Sequence, residues 1–342
     1  MLKYEFIKKK IFDEINKLSE NDILPSRNQL IKKYKVGEMT VRRALQELVK
    51  EQIIYSVQGK GFFVAPKQEN FLEIFTLVHG INFNQTVQDT GLYPALIEEL
   101  EKELSKCNFD MTLSFHKNNA SKERSILDRI LQKKPYGVIM NCSGFAENTV
   151  YYKKVLDNIK NIVFVDGKYA DLKANYVGSE RVNAYREMCS FLKNTALDKV
   201  FYIDLDYWKK TKTNTDTLEG YKTVFGNENI HLFDRPYFEL IDVFSKKLRE
   251  ELKKYKKVGL VFVNSATANI IQYNCENELN ELDYAVICCA DKPNFKIKNN
   301  MHVIWLKQNI AAVVKEAVKI LEENQSDIKE IYVPGEIKYI NF

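Results

Sequence analysis

The stretch Leu24 to Val64, LPSRNQLIKKYKVGEMTVRRALQELVKEQIIYSVQGKGFFV, determines the fold of the N-terminal part of the chain. It holds two runs of helical period, then two short strand-like runs around Gln58–Gly61. Ser26 and Gln29 have the spacing of a capping box, in which each side chain bonds the other residue's backbone amide. The spacing therefore predicts a short helix that starts after Ser26 and ends near Tyr34.

The next helix buries one apolar stripe and leaves a polar face outside. The stripe consists of Val41, Ala44, Leu45 and Leu48, and the outer face carries Met39, Thr40, Arg42, Arg43 and Gln46. Arginine, glutamine and threonine can all bond base edges or phosphates. A helix, a tight turn and such a helix are the parts of a helix-turn-helix, although a solvated charged face is the ordinary alternative.

A predicted hairpin follows this helix directly. Ile53–Val57 and Phe62–Val64 read as strands, and two glycines between them permit the positive φ of a tight turn. Lys60 lies at its tip. A hairpin after a recognition helix is a wing, which favours DNA contact over a merely solvated face.

The motifs LPSRNQL, MTVRRAL and QGKGFFV resemble, in order and spacing, those of the winged helix of the GntR family over residues 4–65. The resemblance implies dimers that bind a near-palindromic operator. It implies as DNA-contacting residues Ser26, Thr40, Arg42, Arg43, Gln58 and Lys60. Two positions depart from the family pattern: Gly37 replaces a serine of the turn, and Glu38 stands where an arginine is common.

Composition places the chain among cytoplasmic globular proteins. No apolar run approaches the ~20 residues that span a bilayer, and the N-terminus does not read as a signal peptide. The first 66 residues hold 13 basic and 8 acidic side chains, and the rest of the chain is neutral, which suggests a polyanion partner for the small unit. The six cysteines and four histidines show no metal-ligand spacing, so reduced cysteines and neither metal nor cofactor are expected.

The rest of the chain alternates strand-like and helical runs, from Ile74–Val78 to Asn309–Glu323, and one of the predicted helices covers Ser179–Lys193. Such alternation predicts parallel sheets covered by helices, and this length favours two α/β lobes with a ligand cleft between them. The expected fold is α/β: an N-terminal winged helix-turn-helix and a two-lobed domain with parallel sheets. The expected division is residues 1–66, a linker at 67–73, and residues 74–342 for effector binding and dimerisation.

Enzyme motifs are missing from the sequence. It has no glycine-rich phosphate loop, and it has no Gly-x-Ser-x-Gly elbow. Acids at strand ends such as Asp166, Asp204 and Asp291 have no fixed pairing, and turn formation or helix capping explains them as well. Catalysis is not expected, and an enzyme fused to the DNA-binding unit is the weakest alternative.

Several runs of the larger part resemble the effector domain of LacI-type regulators, which is similar to periplasmic sugar-binding proteins. They include IVFVDGK, TLEGY, VGLVFVNSATA and IYVPGEI, the last of which resembles the closing strand. Carried over by position, the resemblance implies effector contacts from Tyr93, Lys168, Asn264, Asp291 and Gln308. Lys168 and Thr217 replace arginines of sugar-responsive relatives, so the ligand need not be a plain pentose or hexose.

The sequence therefore predicts a homodimeric, ligand-responsive repressor that binds double-stranded operator DNA and a small sugar-like or other polar effector. The alternative is a DNA-binding regulator whose larger part binds no ligand and serves dimerisation or protein contact.

Overall fold

The computed structural model describes residues 3–15, 17–51, 53–65, 70–76, 92–107, 109–116, 119–204, 210–232, 241–323 and 327–341. The chain divides into two compact units at residues 69 and 70, which we call the head and the body. The predicted linker, residues 67–73, is too long, because a strand already begins at Asn70. The polar residues Asn70 and Glu73 give the start of this strand the composition of a linker.

The head is a winged helix. Its elements are α1 (Lys3–Ile15), α2 (Arg27–Tyr34), α3 (Glu38–Lys50), β1 (Ile54–Val57) and β2 (Gly61–Val64). Apolar residues three and four apart place one stripe of each helix inside, and Leu30, Val41 and Leu48 are fully buried there. The two strands pair antiparallel, and Gly59 between them has a φ of 75°. The predicted helices and wing are confirmed.

The body contains two sheets, each of six strands among the described residues. Lobe 1 holds, in sheet order, β13 (Glu330–Val333), β7 (Asn175–Ser179), β6 (Ile162–Val165), β5 (Gly137–Met140), β3 (Asn70–Thr76) and β4 (Phe109–Phe115). Lobe 2 holds β14 (Glu336–Ile340), β12 (Met301–Lys307), β11 (Tyr284–Ala290), β10 (Lys257–Phe262), β8 (Lys199–Asp204) and β9 (Ile230–Leu232). Every strand pairing is parallel except that of β12 with β14.

Helices cover both faces of each sheet. Lobe 1 carries α4 (Leu92–Lys106) and α12 (Ile310–Glu323) on one face, and α5 (Ala120–Lys133) and α6 (Thr149–Asn158) on the other. Lobe 2 carries α7 (Arg181–Asn194) and α8 (Lys212–Phe225) on one face, and α9 (Ile241–Leu252), α10 (Ser265–Asn274) and α11 (Glu276–Asn280) on the other. Two helix-covered sheets confirm the predicted α/β class.

Alternate side chains of a buried strand enter opposite cores, as the two-residue period of a strand requires. The adjacent Cys288 and Cys289 illustrate this, because the first packs against α7 and α8 and the second against α9 and α10. Burial raises the pKa of both thiols well above the ordinary value. Both therefore act as small hydrophobic side chains at neutral pH.

The described chain passes between the lobes at three crossovers, which connect β7 to α7, β12 to α12, and β13 to β14. Two sequence predictions need correction near them. A helix predicted over Ser179–Lys193 begins only at Arg181, since β7 occupies Asn175–Ser179. The run IYVPGEI, expected as one closing strand, contributes to two strands, β13 in lobe 1 and β14 in lobe 2, with Gly335 between them at the third crossover.

Candidate functional site

The outer face of α3 presents polar side chains that the head itself does not bind. Arg42 and Gln46 are exposed, and within the described residues neither side chain has a hydrogen-bond or ionic partner. Thr40 is half-buried, and its backbone amide donates to Gly37 O at 3.0 Å. The buried stripe of α3 fixes the helix, so Arg42 and Gln46 are held outward on a rigid support.

Arg43 takes a different position on the same helix. Its guanidinium lies 4.0 Å from the centroid of the Tyr4 ring on α1. A cation over an aromatic face is held there by about 0.5–1 kcal/mol at an exposed site. Arg43 is therefore anchored towards α1, whereas Arg42 has no such anchor.

Ser26 makes the predicted capping box. Gln29 N donates to Ser26 Oγ at 3.3 Å, and Ser26 N donates to Gln29 Oε1 at 2.7 Å. The hydroxyl oxygen accepts in this box, so its own O–H remains a donor for an outside acceptor. The exposed Gln58 and Lys60 lie in the turn of the wing.

The second group of polar side chains lies where the strands of the body end. Asp166 follows β6, Asn264 follows β10, Asp291 follows β11 and Gln308 follows β12. Both aspartates adopt positive φ, 52° at Asp166 and 62° at Asp291, as expected of residues that form turns. Carboxyl ends of parallel strands face the cleft in two-lobed α/β folds.

Arg181, the first residue of α7, connects most of this group. Only 2% of its surface is exposed. Its Nη2 atom is 3.4 Å from both carboxylate oxygens of Asp166 and 3.2 Å from Gln308 Oε1, and Nη1 is 3.4 Å from Val263 O. The guanidinium thus bonds Asp166 of lobe 1, the Val263 carbonyl of lobe 2, and Gln308, which lies at the second crossover.

Gln308 extends this network. Its Oε1 also accepts from Ser179 Oγ at 2.6 Å, and its Nε2 donates to both oxygens of Asp291 at 2.9 Å. Ser179 and Gln308 lie at the first and second crossovers, so the network ties two connections between the lobes together.

Electrostatics in this network are set by burial. Burial raises the pKa of Asp291 to about 6, although Gln308 and Arg181 act in the opposite direction. Burial lowers the pKa of Arg181, but the Asp166 carboxylate outweighs it and leaves that pKa above the ordinary value. Arg181 is therefore a permanent cation, while Asp291 titrates in a mildly acidic range.

Two of the predicted effector residues have their described side-chain contacts within lobe 1. Lys168 is 1% exposed, and its Nζ donates to Leu172 O at 2.8 Å and to Glu330 Oε1 at 2.5 Å, both in lobe 1. Tyr93 is buried in the core between α4 and α12. Resemblance by position assigned both residues to the cleft, but a lobe 1 carboxylate binds the cation and apolar packing holds the ring.

Asn264 is the N-cap residue of α10. Its Oδ1 accepts from Thr267 N at 2.8 Å, which caps α10. The Thr217 hydroxyl likewise bonds Thr213 O within α8 at 2.8 Å. Of the predicted effector residues, the structure brings only Asp291 and Gln308 into one network.

The lobes also touch each other directly. Lys212 N donates to Lys168 O at 2.8 Å, Ala170 N donates to Lys210 O at 3.3 Å, and Tyr169 and Thr211 form an antiparallel bridge. The Thr213 hydroxyl donates to Asp166 O. We call these contacts between residues 166–170 and 210–213 the inter-lobe contact. They place the loop after β6 against the start of α8.

Sequence reasoning missed Arg181 because it assigned this residue to the first turn of a predicted helix and not to a crossover between lobes. The available signal was the short run Tyr176–Val177 before Gly178, which favours a strand directly ahead of the arginine. Recognition of β7 would have put this cation at a strand-to-helix crossover.

Within the described part of the chain, no cluster of three or more His, Cys, Asp or Glu side chains could hold a metal ion. Nor is any helix there long and apolar enough to cross a membrane.

Comparison with known proteins gives matches for both the head and the body. Residues 3–64 match the family described as bacterial regulatory proteins, gntR family. The arabinose metabolism transcriptional repressor of Halalkalibacterium halodurans is 28% identical over 53% of this chain and 50% of the relative. That of Geobacillus stearothermophilus is 23% identical over 50% of this chain and 47% of the relative. The chain thus spans about half the length of these curated relatives.

Solved structures are similar to most of the chain. The CcpA transcription regulator of Lactococcus lactis matches with a TM-score of 0.58 and 15% identity, over 79% of this chain and 98% of the other. The Cra regulator of Pseudomonas putida in complex with fructose 1-phosphate matches with a TM-score of 0.59 and 12% identity, over 79% and 98%. The myo-inositol binding protein of Caulobacter gives 0.58 and 14%, over 81% and 95%. The chain therefore joins a gntR-family winged helix to a body with the fold of LacI-type regulators and periplasmic binding proteins.

Proposed function

We propose that the chain is a ligand-responsive DNA-binding transcriptional regulator, a repressor of an operon for a sugar or another small polar metabolite. The observation that carries the proposal is the union, in one chain, of a gntR-family winged helix with a two-lobed binding-protein fold. The repressor names of the arabinose-metabolism relatives support it. The proposal includes no catalytic step and no cofactor, and it places the protein in the cytoplasm, where operator DNA lies.

The head is proposed to bind double-stranded operator DNA with α3 in the major groove and the wing beside it. Arg42 and Gln46 offer the groups that pair with guanine or adenine edges, and Ser26 and Lys60 offer donors to phosphate. A homodimer presents two such heads to half-sites about one helical turn, roughly 34 Å, apart. Thr40, Arg43 and Gln58 remain proposed contacts on the same surface.

The body is proposed to bind the effector between its lobes. An effector that exchanges hydrogen bonds with Asp291 and Gln308 would disturb the network that Arg181 holds at two crossovers. Because these crossovers set the angle between the lobes, such an exchange changes lobe geometry, and the dimer transmits that change to the spacing of the heads.

One thermal-shift experiment tests the effector half of the proposal. The full chain is screened against neutral sugars, sugar phosphates, nucleosides and amino acids. A ligand present at about 100 times its dissociation constant stabilises the folded protein by ~2.7 kcal/mol, so a true effector gives a clear rise in Tm. The DNA half is tested by selection of bound sequences from a randomised duplex library.

A second candidate function follows from the inter-lobe contact. The lobes already bond one another through residues 168–170 and 210–212, and the ammonium group of Lys168 is bound within lobe 1. A body closed on itself would serve dimerisation or protein contact without a ligand. A well-folded chain with no thermal shift across the whole panel, combined with sequence-specific DNA binding, favours this candidate.

A further inference from the structure

The first residue of the recognition helix is an acid. Glu38 begins α3, its side chain is exposed, and its carboxylate has no hydrogen-bond or ionic partner within the described residues. Arg42 lies one turn further along the same flank, yet the two side chains do not form an ion pair. The carboxylate is therefore free to meet whatever α3 binds.

An acid at this place carries a cost for a DNA-binding surface. DNA binding gains most of its affinity from cations that neutralise phosphates, and a carboxylate near the backbone opposes them. Glu38 does favour the helix, since an acid in the first turn complements the helix dipole. That benefit is only about 0.3–1 kcal/mol at an exposed site, and a capping side chain at Gly37, where none is present, would supply as much.

The chemistry of the major groove gives such an acid one favourable partner. A carboxylate only accepts hydrogen bonds, and the exocyclic N4 amino group of cytosine donates in the groove. The N6 amino group of adenine also donates, but the N7 acceptor beside it repels a carboxylate. Guanine and thymine present only acceptors or a methyl group at these positions.

Position on the helix allows this contact. In helix-turn-helix proteins the N-terminal residues of the recognition helix contact base edges. Met39, the next residue, is 72% exposed, so this end of α3 presents its side chains to the outside. We propose that Glu38 is a specificity-determining residue that selects a cytosine in each operator half-site; this rests on the proposed function of the head.

The test is selection of bound sequences from a randomised duplex library by the full-length protein and two variants, Glu38→Ala and Glu38→Gln. Glu47→Gln is the matched control, because it removes the same charge from the same helix at a position away from the first turn. Wild type is expected to prefer cytosine at one position per half-site by about fivefold to tenfold. Glu38→Ala loses this preference, and Glu38→Gln shifts it towards adenine, with which glutamine pairs.

Affinity at different salt concentrations separates the remaining outcomes. Loss of a base contact leaves the dependence on salt unchanged, so both Glu38 variants should keep the wild-type slope. The proposal is overturned if Glu38→Ala binds all sequences more tightly by a common factor, as Glu47→Gln is expected to do, and keeps every base preference. A wild-type protein that selects no sequence at all would overturn the proposed function of the head as well.

Discussion

The head and the body differ in whether their functional polar side chains have partners within the protein. In the head, Arg42, Gln46 and Lys60 point outward and have no partner within the described residues. In the body, Arg181 and Gln308 are bound to other protein groups at the cleft. A surface that reads DNA must keep its donors free, because phosphates and bases supply the partners. At the cleft the polar side chains already bind one another, so a ligand there would act by exchanging partners.

This difference predicts different consequences for two arginines. Loss of a free arginine should remove binding without loss of stability, and loss of a paired, buried arginine should do the reverse. The first case costs only the contact with DNA. The second leaves a carboxylate unpaired, which is among the larger penalties for a single substitution.

The largest effect is expected for Arg42→Met in the head. Loss of a base or phosphate contact in both half-sites should weaken operator binding by about 4 kcal/mol, roughly 1000-fold, with little change in Tm. Fluorescence anisotropy with a selected operator measures this. Arg43→Met is the control, and since Tyr4 anchors Arg43, its loss should weaken binding less. Equal losses for the two variants would contradict the distinction drawn between them.

A smaller effect, on stability, is expected for Arg181→Met in the body. The variant leaves Asp166 without its cation and should lower the free energy of unfolding by about 3 kcal/mol. Urea unfolding followed by circular dichroism measures the change. Arg186→Met, on an exposed position of the same helix, should shift the free energy by no more than about 0.5 kcal/mol. An Arg181 variant as stable as this control would show that the network contributes little.

A third prediction concerns pH. Burial raises the pKa of Asp291 to about 6, so the folded state holds this proton more tightly than the unfolded state does. The stability that this carboxyl contributes is therefore present at low pH and lost as pH rises through about 6. Asp291→Asn removes the titration, and its unfolding free energy relative to wild type should rise by about 2 kcal/mol between pH 4 and pH 7. A difference that does not vary with pH would refute the assignment.

The smallest effect is expected at Ser26, which serves two purposes in the head. Ser26→Ala removes the cap of α2 and should cost about 1 kcal/mol of stability, together with one phosphate contact. Ser26→Asp retains a cap but adds a negative charge. It should therefore keep the Tm and still weaken operator binding. If Ser26→Asp binds DNA as well as wild type does, Ser26 does not face a phosphate.

The sequence predicted the head better than the body, for a physical reason. The capping box of Ser26 and Gln29 and the positive φ of Gly59 depend on neighbours within a few residues, so local spacing suffices. The ionic partner of Lys168 does not lie nearby in the chain. Glu330 lies 162 residues away along the chain, so only the folded structure shows that its carboxylate binds Lys168.

The same argument explains the strands that were missed. Asn175–Ser179 is short and contains a glycine, so its local pattern is weak, and its place between β6 and β13 stabilises it as a strand. Asp291 was noted as an acid at a strand end, and the resemblance to LacI-type regulators implied both Asp291 and Gln308 as effector contacts. The hydrogen bonds that join them to each other and to Arg181 connect residues 17 and 127 positions apart, so local sequence does not reveal them.

The most direct test of the central claim joins the two halves of the molecule in one measurement. The operator affinity of the full-length protein is measured with and without a saturating amount of the compound that raises its Tm. Coupling between sites in regulators is commonly 5- to 150-fold, and we expect a change of at least about fivefold in operator Kd. An unchanged operator Kd, with the thermal shift showing that the compound is bound, would contradict the claim that the cleft controls the head.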